Sequence, residues 1–197
     1  MTLPVRLGVL LSGSGRTLQN LIDRIATGTL PARIQVVVSS SPQAYGLERA
    51  RNHGIPTAVV DRKAFPDANS FSDAVTAALG AREPIDLVIM AGFLHLYVFP
   101  DRWDRRVLNI HPALLPDFGG KGFYGHHVHE AVLQAGRGES GCTVHYADRH
   151  YDRGPIILQR RVPVLPGDTP DTLAERVFQE ECIAYPEAIL RVAEGKA

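Results

Sequence analysis

Along residues 1–111, short apolar runs alternate with longer stretches whose apolar positions follow a helical period. The runs Leu7 to Leu11, Ile34 to Val38, Thr57 to Val60, Leu87 to Ala91 and Val107 to Ile110 are rich in Val, Ile and Leu and do not alternate with polar residues. Strands buried on both faces read in this way. After the first run, Leu18, Leu21, Ile22 and Ile25 fall at i, i+3, i+4 and i+7, and Gly28 supplies a stop. The alternation predicts an α/β fold: a doubly wound, Rossmann-like, mostly parallel sheet with helices on both faces and right-handed crossovers. Ligands in such sheets bind beyond the carboxyl ends of the strands.

After residue 111 the pattern loosens. A Gly-rich stretch from Gly119 to Gly125 precedes a helix expected over His126 to Ala135, and two strand-like runs follow, Cys142 to Tyr146 and Ile156 to Val164. Asp168-Thr169-Pro170 offers a cap and a first-turn proline for a C-terminal helix, which Pro186 is expected to kink or break. The expected organisation is one domain over residues 1–197, with a regular half to residue 111 and a second half of site loops, final strands and a helix.

Composition narrows the partners. The 21 Lys and Arg balance the 21 Asp and Glu, so there is no overall basic field to draw nucleic acid or an anionic membrane, and small-molecule ligands are favoured. Cys142 and Cys182 form no C-x-x-C pair, which implies reduced thiols in a cytoplasmic setting. No apolar run approaches the ~18 residues of a membrane span, and the N-terminus lacks a signal-peptide core.

Ser12-Gly13-Ser14-Gly15-Arg16-Thr17 lies between the first strand and first helix, where backbone N–H groups and the positive end of the helix dipole can hold a phosphate. The alternative is a tight turn that needs the glycines for its own shape. A dinucleotide fingerprint would place glycine at Leu18 and an acidic residue near Ser39-Ser40-Ser41, and no Gly-Lys-Ser/Thr triplet follows the loop. A phosphomonoester on a small substrate fits better.

Asn109 and His111 are two apart on an expected strand, so both side chains project to one face, and Pro112 restricts His111 to extended geometry. With the carboxylate of Asp152, they suit a reaction that develops an oxyanion: the amide and the imidazolium donate hydrogen bonds, and the carboxylate keeps the imidazole protonated. There is no G-x-S-x-G elbow for a serine hydrolase. His126-His127-x-His129 is dense enough to raise a metal site, but on a helix only His126 and His129 share a face, and no metal is expected.

Leu11-Ser12-Gly13-Ser14-Gly15, Ala91-Gly92-Phe93, Asn109 to Pro116 with its Asn-Ile-His-Pro start, and Asp152-Arg153-Gly154-Pro155-Ile156 together resemble the folate-dependent formyltransferases over nearly the whole length. The resemblance implies transfer of a formyl group from 10-formyltetrahydrofolate, a reduced folate co-substrate, to the primary amine of glycinamide ribonucleotide. It assigns catalysis to Asn109, His111 and Asp152. Gly13, Gly15, Arg16 and Thr17 would hold the substrate phosphate, and Gln179 and Glu181 the rest of the nucleotide. Leu94, His95, Leu96, Tyr97, Ala147 and Asp148, together with Asn109 and Asp152, would hold the folate, and His127 and His145 would stand near the site.

Several positions depart from the usual pattern. Arg16-Thr17 replaces a small residue and Asn, His95 stands where Arg is common, and Asn69 lies near another Arg position. The loop Asp117 to Tyr124, rich in glycine and carrying Phe123-Tyr124, reads as a surface loop or a lid. Within the family a formyltetrahydrofolate deformylase, in which water replaces the amine, is the alternative; it normally carries an extra N-terminal domain, and the first strand here begins within ten residues of Met1. A methionyl-tRNA formyltransferase would need a basic C-terminal domain. Outside it, a nicotinamide-dependent oxidoreductase fails at Leu18 and Ser39 to Ser41. The expected assembly is a monomer or homodimer.

Overall fold

The computed structural model describes residues 1–82 and 84–197. In chain order the elements are β1 (Val5–Leu11), α1 (Arg16–Ala26), β2 (Ala32–Ser39), α2 (Gly46–Asn52), β3 (Thr57–Val59), α3 (Ala68–Gly80), β4 (Leu87–Met90), β5 (Val107–His111), α4 (His126–Gln134), β6 (Glu139–Tyr146), β7 (Ile156–Pro163) and α5 (Pro170–Ala193). All seven strands join one sheet in the order β3-β2-β1-β4-β5-β6-β7. The first five are parallel, and β6 runs antiparallel to both of its neighbours. This is the α/β architecture that the unalternating runs predict.

The winding explains where a ligand can sit. From β1 the chain moves outward to β2 and β3, then returns to place β4 against the other edge of β1. Loops leaving β1 and β4 therefore diverge to opposite faces, and the crevice between them opens at the carboxyl ends. Successive residues feed different cores. Val9 and Leu11 pack with Leu18, Leu21, Val177 and Tyr185 from α1 and α5. Leu10 packs with Phe71, Val75 and Leu79 of α3, together with Trp103.

Gly28, at φ +75°, follows the end of α1 as its position suggests. Thr169 caps α5 in a reciprocal box with Thr172, and Pro170 opens the first turn. Pro186 does not break this helix, which continues to Ala193. The ring removes the N–H that would have bonded the Cys182 carbonyl. That carbonyl instead accepts from Asn20 Nδ2 at 3.0 Å and Arg24 at 3.3 Å, both on α1. Tertiary donors thus replace the lost helical bond. Among the described residues, no helix is long and apolar enough to cross a membrane.

Candidate active site

β5 ends in Asn109 and His111, and the antiparallel register sets His145 of β6 directly across from Asn109. The turn after β6 returns Asp152 to the same place, in a left-handed backbone conformation with φ 55°. Non-glycine residues adopt this region at an energetic cost, and such residues cluster at active sites.

These groups bond to one another. Asn109 Nδ2 lies 3.2 Å from Asp152 Oδ1 and 3.1 Å from His145 Nε2. A carboxylate only accepts, so the amide nitrogen must face it, and its second hydrogen reaches His145. His145 Nδ1 is 2.8 Å from the Tyr146 carbonyl, which puts the ring proton on Nδ1 and leaves Nε2 to accept. The other oxygen of Asp152 takes the Gly120 backbone N–H at 2.9 Å. His111 Nε2 donates to the Phe118 carbonyl at 2.8 Å, and its Nδ1 stands 3.6 Å from Asp152 Oδ2.

The loop above the site is thus fastened to it twice, through His111 to Phe118 and through Asp152 to Gly120. Gly119 between them has no room for a side chain, because a Cβ would come within 2.4 Å of Leu115 Cδ2 and 3.3 Å of Asp152 Cβ. Outside, Asp117 pairs with Arg137 at 2.7 Å, and the Arg137 guanidinium lies over the Phe118 ring.

Charge states follow from burial. Burial lowers the His111 pKa; Asp152 and the Phe118 carbonyl pull it back up without overcoming that effect, and His145 adds to the lowering. The expectation that the carboxylate keeps this imidazole protonated is therefore corrected for the resting protein. Desolvation outweighs one carboxylate at 3.6 Å. Burial pushes the Asp152 carboxyl up, yet the neighbouring His145 and His111 and the Gly120 N–H together hold its pKa below the usual range.

Around this centre lies a cleft of about 550 Å³. Arg16 and Thr17 of α1 and Ala174, Phe178 and Glu181 of α5 line it from one face of the sheet. Leu94, His95, Leu96, Tyr97, Ala147 and Asp148 line it from elsewhere, and Tyr97 and Ala147 belong to the α3 core on the opposite face. Asn109, His111, His145 and Asp152 also line it. Among the described residues, no group of three or more His, Cys, Asp or Glu could hold a metal ion.

The sequence matches the family described as formyl transferase over residues 5–189. The chain belongs to that family. It is similar to the phosphoribosylglycinamide formyltransferase of Haemophilus influenzae, 36% identical over 193 residues that cover 97% of this chain and 88% of the relative. It is also 41% identical over 194 residues to the trifunctional purine biosynthetic protein adenosine-3 of Drosophila pseudoobscura pseudoobscura, covering 96% of this chain. The chain spans only 14% of that relative. A crystal structure of glycinamide ribonucleotide transformylase 1 from Symbiobacterium toebii superposes with a TM-score of 0.89 at 44% identity, over 97% of this chain and 88% of that one.

Of the expected site residues, Gln179, His127, Gly13 and Gly15 lie outside the lining of this formyl transferase cleft. Gln179 is exposed and outside the lining: two residues from Glu181 on a helix, it points about 200° away. His127 is likewise exposed, 3.3 Å from Glu130, while its neighbours His126 and His129 face the cleft. Gly13 and Gly15 do not line the cavity but shape the turn before it. Gly15 has φ +70°, and a Cβ there would meet Gly46 Cα at 2.6 Å. No side chain caps α1, so its first N–H groups are not claimed by one. Arg16 pairs with Glu175 at 2.6 Å and lies 3.9 Å above the Phe178 ring.

Other features escaped the sequence reading. Ser12 Oγ receives the Leu94 N–H at 3.0 Å, and the Tyr151 hydroxyl receives that of Leu96 at 3.1 Å, so both ends of the segment after β4 are pinned. His95 packs edge-on against Phe71 and Phe93, and burial, with Arg62 nearby, lowers its pKa. At neutral pH it does not supply the charge of the arginine common at this position. Burial raises Glu181 to about 7, against a smaller pull from Arg16.

Proposed function

We propose that the chain transfers the formyl group of 10-formyltetrahydrofolate to the primary amine of glycinamide ribonucleotide, giving the N-formyl product and tetrahydrofolate. The observation that carries this reading is the convergence of Asn109, His111 and Asp152 on a cleft whose walls come from opposite faces of the sheet. Such a cleft suits two substrates that meet at its centre. The nucleotide is read against Arg16, Thr17 and Glu181, its phosphate by the turn Gly13 to Thr17, and the folate against Leu94 to Tyr97, Ala147 and Asp148. One continuous sheet carries both walls, which supports reading residues 1–197 as a single formyltransferase domain.

The amine nitrogen attacks the formyl carbon, the carbonyl electron pair moves to oxygen, and a tetrahedral intermediate forms. When it collapses, the bond from carbon to the folate nitrogen breaks. The amine loses a proton and the departing nitrogen gains one, with Asp152 as the group positioned to relay it through water. His111 meets the oxyanion with its Nε2–H once that bond leaves the Phe118 carbonyl. As negative charge develops, protonation at Nδ1 becomes favourable, on the side that faces Asp152. Asn109 similarly exchanges one of its two internal bonds for the oxyanion.

The test is to follow folate release from 10-formyltetrahydrofolate with and without glycinamide ribonucleotide. Amine-dependent release that is lost in His111→Ala, with substrate binding largely kept, is expected. Equal release without the amine would instead identify a deformylase.

A further inference from the structure

His129 is 4% exposed, yet its Nδ1 has no hydrogen-bond partner although it is shut off from solvent. Buried polar groups left unpaired are rare and call for an explanation. An orphaned buried N–H is rarer than an orphaned acceptor. The ring proton therefore belongs on Nε2, and because the ring lines the cleft, any contact with a ligand falls to that N–H. Burial, with His126 and His111 nearby, lowers its pKa to about 4, so at neutral pH the ring is an uncharged donor.

Its position narrows the ligand group. α4 packs against α5, which brings Phe178 and Glu181 to the same cleft, and His126, one turn before His129, reaches Asp171 of α5 at 3.3 Å. His129 thus lines the cleft together with His111 and with the wall read as the nucleotide side. A phosphate would favour a cation such as Arg16. A neutral donor suits a neutral oxygen.

We propose that His129 is a substrate-binding residue that donates a hydrogen bond from Nε2 to a sugar hydroxyl of the ribonucleotide substrate. This rests on the functional reading above. Three variants separate contact from packing. His129→Phe keeps the ring volume without the donor, His129→Asn keeps an amide only near the buried nitrogen, and His129→Gln extends an amide N–H toward the position of Nε2.

Steady-state kinetics with glycinamide ribonucleotide and 10-formyltetrahydrofolate supply the readout. His129→Phe and His129→Asn are expected to raise KM for the ribonucleotide about tenfold or more, with kcat and the folate KM within about twofold. His129→Gln should recover most of the loss. A ribonucleotide analogue lacking the sugar hydroxyls should bind wild type more weakly than the parent does, and the Phe and Asn variants should no longer distinguish the two. If Phe does not fold, the contrast between Asn and Gln decides. An active wild type with unchanged ribonucleotide KM in the variants overturns the inference, as does a fall in kcat alone or a rise in the folate KM. A wild type inactive with the amine overturns the functional reading and this inference with it.

Discussion

Asn109 is hydrogen-bonded to both Asp152 and His145, and Asp152 and His111 hold the loop above them, whereas Glu181 is half-buried with no hydrogen bond or ion pair among the described residues. Arg16, nearby, spends its charge on Glu175 at the surface. The first region is assembled in the resting protein and must exchange internal bonds to act. The second is left electrostatically short, so a ligand that brings hydrogen-bond donors relieves it. Reactivity and affinity thus rest on different conditions within one cleft.

The largest effect should come from breaking the assembled region. Asp152→Asn removes one of the two acceptor oxygens that serve Gly120 and Asn109, and the negative charge beside His111. We expect kcat to fall by about 10²–10⁴-fold in steady-state turnover; a change under threefold would remove Asp152 from the chemistry. Glu181→Gln probes the unassembled region, with KM for the ribonucleotide expected to rise by roughly ten- to a hundredfold while the folate KM holds.

The same variant should also gain stability. A carboxyl whose folded pKa is raised to about 7 from an ordinary 4.5 resists ionisation in the folded chain. Its penalty is absent below the unfolded pKa, grows as pH rises between the two values and is complete above the folded one. Urea unfolding should therefore find Glu181→Gln more stable than wild type by about 1–2 kcal/mol at pH 8, with little difference at pH 4.5. An equal gain at both would place the cause elsewhere.

Gly15→Ala should lower stability by about 1–3 kcal/mol and weaken ribonucleotide binding together, because φ +70° and the contact with Gly46 both exclude a Cβ. Thermal unfolding and KM measured on the same sample check the coupling. The smallest effect belongs to Arg16→Ala, since its ion pair is exposed: stability should change by less than about 1 kcal/mol. The ribonucleotide KM should rise only a few-fold and become less sensitive to salt.

What could be read in advance follows the range of the forces. Buried strands were legible because burial on both faces suppresses alternation, and Asn109 with His111 because a two-residue spacing sets one face of a strand. Gln179 and His127 lie outside the cleft lining because helical phase turns them away from Glu181 and His129, which line it. That Pro186 leaves α5 unbroken was not legible because its rescuing donors, Asn20 and Arg24, come from another helix. The charge state of His111 depends on how deeply the folded chain buries it, which spacing alone does not convey.

One turn beyond Glu181, the Tyr185 hydroxyl lies 3.0 Å from the Met90 carbonyl and 2.8 Å from that of Leu108, sharing its single proton between β4 and β5. Both strands are measured from the same rod. Any shift of α5 would tug the strand ends that carry Asn109 and introduce the segment after Met90, so α5 serves as a ruler that spaces the ends of β4 and β5.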